Sequence, residues 1–132
     1  MMNLNNNKLK ILIELLILEK ILQHLITAYL YLFSEIKPDY GLKFVLNYET
    51  LGILNIVYMI LFIISFYSLF FNQMKAKYVI IFPNVLDILS EFIFHSLGYI
   101  TISVIVSILI ILLVIISSKY LTLLKQNEKN HY

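Results

Sequence analysis

Residues 51–71 read LGILNIVYMILFIISFYSLFF, a run of 21 residues without a charge. As an α-helix rising about 1.5 Å per residue, such a run crosses a hydrocarbon core of about 30 Å. A second run, residues 96–118, reads SLGYITISVIVSILIILLVIISS and is 23 residues long, again without a charge. Between them, residues 78–96 read YVIIFPNVLDILSEFIFHS; this segment has the length of a span yet carries Asn84, Asp87, Glu91 and His95. Residues 8–33 add a fourth apolar segment, interrupted by Glu14, Glu19, Lys20 and His24. The fold expected is all-α and polytopic. It is a four-helix transmembrane bundle with helices over about 8–33, 49–72, 78–96 and 98–124, in one integral membrane domain of residues 1–132. Residues 125–132 are expected to form a frayed, polar tail.

Composition supports that class. Of 132 residues, 61% are hydrophobic and 14% charged, and the mean hydropathy is +0.87. A soluble domain carries about 25% charged residues and could not hide so much apolar surface at this size. There is no cysteine, which excludes disulfides and thiolate metal sites. All ten basic residues are lysine, so arginine's bidentate phosphate recognition is missing. A net charge of +2 makes no basic surface, and no nucleic-acid partner is expected. Gly41, Gly52 and Gly98 are scattered, which excludes a phosphate-cradling loop. The first residues, MMNLNNNKLKILIELLIL, place lysines before an apolar stretch as a signal peptide does. Glu14 and Glu19 interrupt that stretch and no small-x-small cleavage site follows, so an uncleaved first helix is expected.

The connections are short. Pro38, Asp39 and Gly41 mark a turn, residues 72–77 are polar, and residues 96–98 form a tight turn at Gly98. With four spans, one side collects Lys8, Lys10, Lys75, Lys77, Lys119, Lys125 and Lys129, and the other only Lys37 and Lys43. Seven against two is a positive-inside pattern with both termini cytoplasmic in a multi-pass cell-membrane protein. A first helix lying flat on the surface would give five lysines on each side and no bias.

The polar residues inside the spans are the candidate site. Asp87, Glu91 and His95 are spaced i, i+4, i+8 and share one helix face. Lys20, Gln23, His24, Thr27 and Tyr31 form a stripe on the first helix, with Glu19 at its border. Helices one and three run in the same direction. Lys20 lies nine residues past Ile11, and Asp87 nine past Tyr78, so both fall near the bilayer midplane. Lys20 is therefore expected opposite Asp87 and His24 opposite Glu91; a slip of one turn would instead pair Lys20 with Glu91 or His24 with Asp87.

Glu19, Lys20, His24, Asp87, Glu91 and His95 hold three carboxylates against one lysine, an excess of two negative charges with neutral histidines. Buried uncompensated charge is expensive, so the cluster should hold protons or a cation. The first function expected is a proton- or cation-translocating transporter or channel component. An accessory subunit using the cluster for assembly pairing is a second reading. A membrane enzyme acting on a lipid-like substrate, with Glu91, His95 or His24 as acid and base, is a third. His24, Asp87, Glu91 and His95 also offer oxygen and nitrogen donors to a divalent metal ion. The Glu-x-x-His pairs of di-iron bundles and the His-Glu-x-x-His motif are both missing. The partners expected are the lipid bilayer and a homo-oligomer or larger membrane complex. Pro83 should kink the third helix. Ser103 and Ser107, one turn apart, are expected to let helix four pack closely.

Overall fold

The computed structural model describes residues 2–36, 47–71, 73–94 and 101–130. Four helices, α1 (Met2–Phe33), α2 (Tyr48–Phe71), α3 (Gln73–Phe94) and α4 (Thr101–Asn130), make up the fold, with no strand among the described residues. α3 starts at Gln73, so the expected polar turn at 72–77 is almost wholly helical. Met, Lys and Ala are strong helix formers and carry the helix outward past the apolar stretch. α4 likewise continues to Asn130 through the segment expected to fray; Lys, Gln and Glu sustain a helix by propensity alone. The turns expected around Pro38 and Gly41 and at residues 96–98 lie outside the described residues, as does His95.

The helices alternate in direction and pack as a ring. α1 lies against α2 and α4, and α3 against α2 and α4, which puts α1 and α3 on the diagonal. Among the described residues one helix, in its Tyr48–Leu69 stretch, is long and apolar enough to cross a bilayer; the described stretch Ile102–Ser117 is apolar but shorter. α1 and α3 fall short of that test because of charged residues in their sequences.

The interior has two levels. Ile13, Ile17, Phe62, Ile80, Ile110 and Val114 form an apolar core. Above it lies a polar level containing Lys20, His24, Asp87 and Ser103, all buried. The outward faces are apolar instead: Leu15, Leu22 and Ile26 on α1, Ile60 and Ile64 on α2, Leu89 on α3, and Ile105 and Leu112 on α4 are all exposed.

Two local devices hold the ring together. Pro83, inside α3, has no N–H for the Val79 carbonyl one turn earlier. Ser65 of α2 donates its hydroxyl to that carbonyl at 2.9 Å, so the proline is accommodated by a neighbouring helix. Where α1 and α2 meet, a Cβ on Gly52 would lie 2.5 Å from Leu32 Cγ. Glycine is needed there for close approach.

Candidate functional site

Lys20 reaches across the diagonal of the bundle. Its Nζ donates to Asp87 Oδ2, to the Ser103 carbonyl and to Ser103 Oγ, each at 2.8 Å. An ammonium has three hydrogens, and all three are used. Lys20 is 0% and Asp87 2% exposed, so the pair is fully withdrawn from solvent. Ser107 adds a long contact to the same Asp87 oxygen at 3.4 Å. Ser103 and Ser107 thus bind the charge pair in addition to allowing close packing.

His24 lies one turn beyond Lys20 on α1. Its ring stacks on Tyr58 and Phe62 of α2. Nδ1 lies 2.8 Å from Asn55 Oδ1, and Nε2 lies 3.5 Å from Asp87 Oδ2. His24 thus meets Asp87, the carboxylate that a slip of one turn would give it. Lys20 and His24 therefore converge on one carboxylate oxygen. Tyr58 donates its hydroxyl to the Leu86 carbonyl and also bonds to Ser90.

Above this pair lies a cavity of about 320 Å³, walled by α1, α2, α3 and the start of α4. Glu19, Gln23, His24, Asn55, Asp87, Ser90 and Glu91 line it, with Leu54, Phe94 and Ile102 as apolar wall. Glu19 and Ile102 in its lining are exposed. Glu91 is half-buried in the wall. Among the described residues no lysine lines the cavity, and the Gln23 Oε1 and His24 Nε2 acceptors are buried without a hydrogen-bond partner. The apolar core closes its floor.

Of the six expected site residues, Lys20, His24 and Asp87 form one contact group; Glu19 and Glu91 line the cavity above it; His95 lies outside the described residues. Glu14 stands 3.9 Å from Lys10 one turn away. Among the described residues no group of three or more His, Asp and Glu side chains is placed to hold a metal ion. A metal at Asp87 would also face the Lys20 ammonium on the same oxygen. Asn55 belongs to neither polar stripe read from the sequence, although an amide within a 21-residue uncharged run is itself a signal. The chain matches no family model, no curated protein and no solved structure.

Proposed function

We propose that this chain is a four-span membrane bundle with both termini cytoplasmic, and that it takes up a proton or small cation in the cavity above the Lys20–Asp87 pair as part of moving it across the membrane. Three things support the membrane arrangement. The charged residues that interrupt the spans include Lys20 and Asp87, and these are buried in the interior. The outward faces are apolar on every helix, the reverse of a soluble bundle. The lysines divide seven to two between the two sides.

The observation that carries the uptake reading is the cavity's charge. Lys20 and Asp87 neutralise each other at 2.8 Å. Glu19 and Glu91 also line the cavity, and no lysine is among the described lining residues. A cavity of that polarity attracts protons and cations. The apolar core below it acts as a seal, so passage requires that core to part in a second conformation.

Proton- or cation-driven flux in liposomes tests the reading. Glu19→Gln with Glu91→Gln, which leaves the Lys20–Asp87 pair intact, is expected to abolish flux while the chain remains folded and abundant. A folded, fully active double variant would sink the proposal. The saturated hydrogen bonding of Lys20 favours a second role for the pair itself, that of a fixed structural clamp between α1, α3 and α4.

A further inference from the structure

The hydrogen-bond roles around His24 can be assigned in sequence, starting from a backbone carbonyl. Leu51 O can only accept, and the Asn55 amide nitrogen Nδ2 lies 2.8 Å from it. That contact fixes the amide: Nδ2 faces Leu51, so Oδ1 faces His24. Oδ1 can only accept, and it lies 2.8 Å from His24 Nδ1. Nδ1 therefore carries a hydrogen. In the neutral ring the other nitrogen, Nε2, then holds a bare lone pair. Nε2 is buried without a hydrogen-bond partner and stands 3.5 Å from Asp87 Oδ2. A lone pair and a carboxylate oxygen attract only when a hydrogen lies between them.

We propose that His24 Nε2 is the atom that receives the proton, and that Asn55 is a positioning residue that keeps Nε2 free to receive it. The inference deepens the uptake reading and rests on it for its purpose, but protonation at Nε2 can be measured without transport. The proton comes from hydronium reaching the cavity that His24 lines, and its transfer leaves a neutral water. It bonds to Nε2, which becomes a charge-assisted donor to Asp87 Oδ2. The faces of Tyr58 and Phe62, with centroids 5.2 and 5.5 Å from the His24 ring, favour the cation that results.

The ionisable groups around the ring come from three helices. α1 contributes Lys20 and Glu19, α2 contributes Tyr58, and α3 contributes Asp87 and Glu91; the α4 groups at this level, Ser103 and Ser107, carry no charge. Lys20 opposes a second positive charge. It is not stranded when Asp87 turns toward the imidazolium, because it keeps both Ser103 contacts at 2.8 Å. Proton arrival at His24 thus sets two cations in competition for Asp87.

Nitrogen-15 spectra of the full chain in lipid, with His24 assigned by its loss in His24→Gln, test this. The neutral ring is expected to carry its hydrogen on Nδ1. On acidification from about pH 8 to about pH 5, the Nε2 signal should move to the protonated position while Nδ1 keeps its hydrogen. Asn55→Asp retains the acceptor and should retain this tautomer; Asn55→Leu removes it and should let the hydrogen shift to Nε2. A neutral wild-type ring protonated on Nε2 would overturn the proposal. So would an Nε2 signal indifferent to pH, or an Asn55→Leu ring with an unchanged tautomer. If the spectra agree but vesicles show no flux, the transport reading fails and the His24 assignment stands.

Discussion

Lys20 shows how a buried charge is made tolerable: every hydrogen of its ammonium meets an oxygen, and one of those oxygens is anionic. Lys20→Met leaves Asp87 as an uncompensated buried charge and should destabilise the bundle by about 3–5 kcal/mol. Lys20→Met with Asp87→Leu replaces the pair by apolar volume and should recover most of that loss. Denaturant titration in detergent measures both, and a double variant as unstable as the single one would contradict the pairing argument. The Lys20–Asp87 contact is legible in the sequence because depth along two parallel helices can be counted. For His24 the same count offers Glu91 or, one turn away, Asp87, which the ring meets at 3.5 Å. Counting fixes depth only to about one turn, and the Asn55, Tyr58 and Phe62 contacts that orient its ring come from a helix the count did not use. Asn55 gave no periodic pattern, since a single amide in an apolar run has no partner along its own helix.

At the scale of helices, α3 depends on α2 to carry a proline. Ser65→Ala should cost about 1–3 kcal/mol, because it leaves the Val79 carbonyl without a donor inside the bundle. In a Pro83→Ala background the restored N–H serves that carbonyl, and Ser65→Ala should cost much less. A double-mutant cycle reads the difference, and equal costs in the two backgrounds would rule out the rescue. Gly52→Ala should destabilise by about 1–3 kcal/mol by driving Leu32 out of its position; unchanged stability would show that α1 and α2 separate freely there. The four helices were legible from apolar run lengths, and the presence of Pro83 in α3 from the sequence alone. The starts and ends were not. Apolar runs mark where a helix is covered, whereas propensity in segments such as residues 73–77 decides where it stops. The i, i+4 spacing of Ser103 and Ser107 was also visible, but spacing cannot separate a packing contact from a hydroxyl bonded to a charge pair.

The molecule as a whole is built inside out relative to a soluble bundle, with Lys20, His24 and Asp87 at its centre and isoleucine and leucine on its outer faces. That arrangement makes sense if lipid is the solvent. On the proposed four-span reading α1 crosses, and without that crossing the seven-to-two lysine bias disappears. The chain has no cysteine, so single cysteines can be introduced without background. The most direct measurement is labelling of Lys8→Cys, Ile36→Cys and Lys77→Cys in sealed vesicles of known orientation with a membrane-impermeant thiol reagent. A four-span bundle places positions 8 and 77 on the cytoplasmic side and position 36 on the other. Labelling of positions 8 and 36 from the same side would mean that α1 does not cross, and the inside-out bundle would be wrong.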